Sequence, residues 1–136
     1  MLPRLGQVLD FQSQALLLRA ERQRLIASNI ANADTPGYQA REMDFAQALR
    51  EATAGVAPAG TVARTAPGHI APAASLGGER HLRWAAASQT SLDGNTVDMD
   101  RERASFADNA VKYEAALRFI NGSVRTMLDA IKGQSQ

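Results

Sequence analysis

From Phe106 to Ile131, apolar residues return at alternating intervals of four and three: Phe106, Ala110, Tyr113, Leu117, Ile120, Val124, Met127 and Ile131. That spacing is a heptad repeat, and it lays one continuous apolar stripe along an α-helix over nearly four heptads. A stripe of this kind must find a partner, so the C-terminal third is predicted to fold only in company. Met99 precedes the run, and Arg103 is its one interruption. Gly122 costs about 1 kcal/mol relative to alanine inside a helix, and its small size would allow close helix packing. Lys132 suits the negative end of the helix dipole, and Gly133 is a natural stop.

The N-terminal segment, 5 to 32, is helical by the same logic. Leu5, Val8, Leu9, Ala15, Leu16, Ile26 and Ile30 share a stripe, with Phe11, Leu18 and Leu25 beside it at intervals of seven. This surface is wider than a two-helix seam needs. An ordinary bundle helix is one reading. The sharper reading is a helix with several helical neighbours, some from other chains. A short helix at 44–53 follows, with Asp44 and Gln47 placed for a capping box. Between 54 and 92 the chain is rich in proline, glycine and alanine, and no periodic apolar run survives. It reads as a flexible or weakly structured connector, with short extended pieces around His69–Ile70 and Leu82–Trp84. The expected class is mainly α: long terminal helices pairing as a coiled-coil or helical bundle, in the order 1–53, 54–92 and 93–136.

Composition supports assembly over a self-sufficient core. Aromatic residues make up 5% of 136 positions, too few large side chains for a thick core. Helices of this kind are expected to be only marginally ordered alone and to gain burial in a polymer. A net charge of +1 supplies no bulk field toward nucleic acid or lipid. The absence of cysteine removes disulfides, thiolate metal sites and thiol nucleophiles together. No cleaved signal peptide and no membrane span are expected from the pattern.

Catalytic chemistry has no constellation to work with. His69 and His81 stand twelve apart in the connector and are expected to be exposed or in turns. The segment 91–102, SLDGNTVDMDRE, resembles a calcium loop only superficially, because glycine directly follows Asp93 and the EF-hand spacing fails. It reads instead as a tight turn followed by acidic residues at the start of the last helix. Arg19, Arg22 and Arg24 form a small face that is more simply solvated or ion-paired than a nucleic-acid surface. The expectation is a protein that is not an enzyme, with no metal, cofactor, nucleic acid or small-molecule substrate.

The stretch ASNIANADTPGYQA, 27 to 40, ends the first helix with two asparagines. Pro36 and Gly37 fit the centre of a type II turn, and Thr35 is pushed extended by the proline after it. The helix should therefore stop near Asn32 or Ala33, with Asn32 capping it or entering the left-handed region. With Tyr38 turned back, Asn29 and Asn32 are predicted to form a fixed polar junction, bonding backbone at the helix exit or on an adjacent subunit.

LIASNIANADTPGYQAREMDF closely resembles the N-terminal signature of bacterial flagellar rod and hook proteins. SLDGNTVDMDRERASFADNAVKYEAAL and TAPGHI are similar to the proximal-rod branch of that family. The resemblance covers 1–50 and 88–133. Its signature residues fall here on Asn29, Ile30, Ala31, Asn32, Thr35, Gly37 and Tyr38, and on Asp93, Gly94, Asn95, Val97 and Asp98. It implies a structural subunit of the basal-body rod, exported through the flagellar type III apparatus without a cleaved signal and crossing the periplasm. Implied partners are other copies, FlgC-type rod subunits, a FliE-type adaptor, the MS ring and the export gate. The expected subunit-interface residues are Leu9, Leu16, Leu25, Asn29, Asn32, Tyr38, Phe106, Tyr113, Leu117, Ile120, Val124 and Ile131. An export adaptor or chaperone, binding other axial subunits transiently, is the alternative.

Overall fold

A computed structural model describes residues 2–54, 81–87 and 91–133. The elements are α1 (Leu2–Ala31), β1 (Arg41–Met43), α2 (Phe45–Thr53), β2 (Leu82–Trp84) and α3 (Met99–Gly133). The expected long terminal helices are present, and they pack against each other as a hairpin. Their antiparallel sense follows from the bonds between them. The Asn109 amide donates to the Arg19 carbonyl at 2.9 Å and to Gln23 Oε1 at 2.6 Å. Toward the other end, the Asn95 amide meets the carbonyls of Asn32 and Ala33, just past α1.

The remaining elements lie beside α1. β1 and β2 form a two-stranded antiparallel sheet that pairs Arg41 with Trp84 and Met43 with Leu82. Met43 and Ala48 turn inward and are buried. The Arg19 guanidinium lies over the Phe45 ring, 4.2 Å from its centroid, tying α2 to α1. Asp44 caps α2 by accepting from the Gln47 N–H at 3.1 Å. The reciprocal half of the expected capping box is not made. The Gln47 side chain bonds Glu51 instead, and the Asp44 N–H donates to the His81 carbonyl. β2 falls inside the segment read as connector. The expected extended piece at His69–Ile70 lies outside the described residues.

α1 buries Ala15, Leu18, Ile26 and Asn29, which lie on one face at helical spacing. Full burial of a Leu18 or Ile26 side chain is worth about 1.5–3 kcal/mol. α3 answers with a different face from the one its leucines mark. Its buried residues are Glu102, Asn109 and Ala116, seven apart. Leu117, Val124 and Ile131, expected to pair within the repeat, are exposed at 37%, 39% and 62%. Tyr113, Ile120 and Met127 are half-buried at the edge of the contact. The helix has thus paired along 99–102–106–109–113–116–120–123–127, also an alternation of three and four. One line of the expected seam is kept. The other is exchanged for a polar and small-residue line. The physical reason is hydrogen bonding: Asn109 reaches α1 backbone, and Ala116 lets the helices approach, whereas leucine there would hold them apart. Gly122 faces open space, since a Cβ built on it meets nothing within 4 Å, so its smallness serves no packing inside this chain.

Candidate functional site

The end of α1 is assembled from two distant pieces of sequence. The helix tightens as it closes, with the Asn32 N–H shared between the Ser28 and Asn29 carbonyls, both at 3.2 Å. The Asn32 side chain folds back to donate to the Ser28 carbonyl at 2.8 Å and accepts from the Thr35 hydroxyl at 3.2 Å. It caps without entering the left-handed region, because no non-glycine among the described residues has positive φ. The type II turn is present: the Tyr38 N–H reaches the Thr35 carbonyl at 3.2 Å, and Gly37 has φ of 72°.

Asn29 is the buried centre of this junction, 1% exposed. Its Nδ2 donates to the Arg41 carbonyl at 2.7 Å, and its Oδ1 accepts from the Arg41 N–H and the Tyr38 hydroxyl at 3.2 and 3.1 Å. A further bond goes to the Glu102 carboxyl. Two donors and two acceptor sites are all an amide side chain has, so Asn29 is fully used. It pairs with one residue of β1 as another strand would. The expectation of a fixed polar junction with Tyr38 turned back is met within a single chain.

The second piece is the turn at 91–95. Asn95 is buried, and its Nδ2 lies 2.9, 2.9 and 2.8 Å from the carbonyls of Asn32, Ala33 and Thr35. The Asn32 and Thr35 carbonyls also accept the Thr35 and Tyr38 N–H groups, while the Ala33 carbonyl at the helix end depends on Asn95. Its Oδ1 accepts from the Val97 N–H at 2.8 Å, so the residue that closes α1 also leads the chain into α3. Backbone bonds complete the clamp: Gly37 N–H to Asp93 carbonyl at 2.9 Å and Thr96 N–H to Tyr38 carbonyl at 3.0 Å. Gly94 lies beside Gly37, where a Cβ would make ordinary contact at 3.6 Å with the Gly37 Cα, so it is the positive φ of 80° that favours glycine. Asp98 then caps α3 by accepting from the Arg101 N–H at 3.1 Å.

Electrostatics around the junction are modest. Burial pushes the Glu102 carboxyl above the usual range, opposed in part by the Asn29 bond and Arg101. A small cavity of about 40 Å³ opens beside it, lined in part by Arg22, Leu25, Arg41 and Glu42. Arg101 and Arg83 approach Glu42 at 3.6 and 3.5 Å on the exposed side, pairs worth about 0–1 kcal/mol. His81 departs from expectation. Its side chain is largely buried and lies 3.2 Å from Glu51, because β2 pairing draws it against α2. His69 lies outside the described residues, and among those residues no group of three or more ligands could hold a metal.

The remaining predicted residues lie along the hairpin. Leu9, Leu16 and Leu25 are partly buried on α1, and Leu25 lines the cavity. Phe106 is exposed beside Gln23, whose amide reaches the Phe106 carbonyl at 3.4 Å. Glu102, Asn109 and Asn95 are the contacts that reading by apolar spacing missed. Only their own interval of seven, and the Asp-Gly-Asn turn, marked them in the sequence. Asn109 even leaves its Oδ1 buried without a partner, a cost of about 1–3 kcal/mol inside the seam.

The chain is a helical hairpin that closes over amides and small residues and leaves much of one apolar line of α3 exposed. Residues 9–39 match the family model described as flagella basal body rod protein. The chain is 47% identical to the flagellar basal body rod protein FlgB of Salmonella typhimurium, over 98% of this chain and 99% of that one. It is 45% identical to FlgB of Escherichia coli K12, over 97% and 98%, and 34% identical to FlgB of Buchnera aphidicola, over 98% and 100%. The chain belongs to the FlgB family of flagellar basal body rod proteins.

Proposed function

We propose that the chain works as a structural subunit of the proximal part of the flagellar rod, held in the polymer by the outward face of its terminal helices. The protein is structural and not an enzyme. One observation carries the mechanism. Leu117, Val124 and Ile131 form a stripe at intervals of seven that stays 37–62% exposed, while Glu102, Asn109 and Ala116 occupy the intramolecular seam. An apolar helix face of this length is stabilised when other helices cover it, at about 25 cal/mol per Å² buried. Phe106, Tyr113 and Ile120, at the edge of the seam, extend that face toward a neighbour. Leu9, Leu16 and Leu25 are the corresponding contacts on α1, and Asn29, Asn32 and Tyr38 act by fixing the angle at which the hairpin meets its surroundings.

The finer reading adds specific neighbours: other copies, FlgC-type subunits, a FliE-type adaptor, the MS ring and the export gate. It also adds a periplasm-crossing position and export without a cleaved signal. No helix of the described residues is long and apolar enough to cross a membrane. The relatives lend the export-adaptor alternative no support. Mass spectrometry of detergent-extracted basal bodies, with copy number, tests the reading. A fixed stoichiometry relative to the other rod subunits is expected. Absence from intact basal bodies would overturn it.

A further inference from the structure

Arg22 and Arg41 line the cleft beside Glu102, and the ion pairs around it leave both of them out. Glu42 is approached by Arg83 and Arg101, and Asp44 by Arg83. Asp108, which acts on Arg22 from α3, is held by Lys112 at 2.8 Å. Glu102 is bonded by Asn29, and its burial resists a charge. Among the described residues no carboxylate lies within ion-pair distance of Arg22 or Arg41.

A lone surface arginine is ordinary. Here three elements bring donors to one space. α1 supplies Arg22, one heptad before Asn29, and α3 supplies Ser105. β1 supplies Arg41, whose backbone Asn29 holds at both its N–H and its carbonyl. The cleft measures about 40 Å³. One water needs about 10–15 Å³, so there is room for a carboxylate head group and none for a nucleotide. Guanidinium groups bind carboxylates through paired, charge-assisted hydrogen bonds. The surroundings are apolar: Leu25 lines the cleft, and Phe106, next to Ser105, is 40% exposed. Both are among the residues expected at the subunit interface. Arginines ringed in this way are sheltered from water once a neighbour covers them, and such arginines dominate interfaces.

We propose that this cleft is a carboxylate-binding site, in which Arg22 and Arg41 hold an Asp or Glu side chain of a neighbouring rod subunit. It rests on the rod-subunit reading and adds a charged contact to a surface otherwise held by apolar side chains. A carboxylate carried by a neighbour outcompetes free anions through its effective concentration.

A photo-crosslinking phenylalanine analogue is placed at Ala85, which also lines the cleft, and irradiated in intact basal bodies. An adduct to a segment of another subunit that carries Asp or Glu is expected. Replacing that acid with lysine should lower the copy number of this chain roughly tenfold or more, and Arg22→Glu with Arg41→Glu should restore it. No adduct, an adduct to a segment without an acid, or failure of the charge exchange would overturn the site and leave the rod reading intact. Absence of the unsubstituted chain from basal bodies would overturn both. In a second arm, Arg22→Gln with Arg41→Gln is expected to leave the urea midpoint of the isolated chain unchanged while lowering incorporation by a similar factor. A lowered midpoint would assign the two cations to the stability of their own chain and overturn the proposal. A midpoint raised by millimolar acetate, without any adduct, would assign the cleft to a free anion and overturn it equally.

Discussion

The junction at 27–43 and 91–98 and the outward face of α3 are built on opposite principles. At the junction, Asn29 and Asn95 use their hydrogen-bonding capacity inside the chain. On α3, Leu117, Val124 and Ile131 keep much of their apolar surface available outside it. A rod subunit needs both. The first fixes the shape that every copy brings to the polymer. The second, on the proposed reading, is the surface that neighbouring subunits cover. The comparison teaches that buried amides fix the register of the hairpin, while a line of large apolar residues on α3 is left substantially exposed.

The largest effect is expected where the junction loses an amide. Asn29→Ala strands the Arg41 N–H and carbonyl together, and Asn95→Ala strands the Ala33 carbonyl and the Val97 N–H. Each should cost about 3 kcal/mol, read as a lower urea midpoint of the isolated chain. A change under about 0.5 kcal/mol in both would break the claim that the junction carries the fold.

A smaller effect of opposite sign is expected at Glu102. Its folded carboxyl binds a proton more readily than the unfolded one, because burial disfavours the charge. Its contribution is therefore favourable in acid, below the ordinary carboxylate range, and is lost as pH rises through the elevated folded value. Glu102→Gln should raise the urea midpoint at neutral pH, and the gain should shrink as pH falls toward that range. A gain that stays constant with pH would assign the effect to packing instead of ionisation.

The smallest effect on the isolated chain, and the sharpest contrast, is expected for Ile131→Asp. The site is 62% exposed near the end of α3 and should tolerate the change within about 0.5 kcal/mol, yet basal bodies should lack the variant although export continues. Normal rods would show that this face is not adhesive.

Much of the fold was legible from residues alone. The 3.5-residue repeat marked α3, and the Pro36–Gly37 turn marked where α1 stops. The two asparagines and Tyr38 marked the junction, because polar amides in the last turns of a helix have little reason to be there otherwise. What was not legible was which side of the repeat faces α1. The line through Met99, Phe106, Tyr113, Ile120 and Met127 borders two possible seams. Hydrophobicity favours the one with Leu117 and Val124, and the chain takes the one with Asn109 and Ala116. His81 was missed for a related reason: its burial against Glu51 depends on a strand pairing that no local pattern announces.

By itself, the sequence determined where helices begin and end, since caps, turns and periodicity act over a few residues. It determined the family too, through the two polar motifs. The tertiary structure alone decided that those motifs, about sixty residues apart, are one object. It also decided which face of α3 packs on α1 and which is left exposed. Both outcomes depend on hydrogen bonds between distant segments, whose partners exist only once the hairpin has closed.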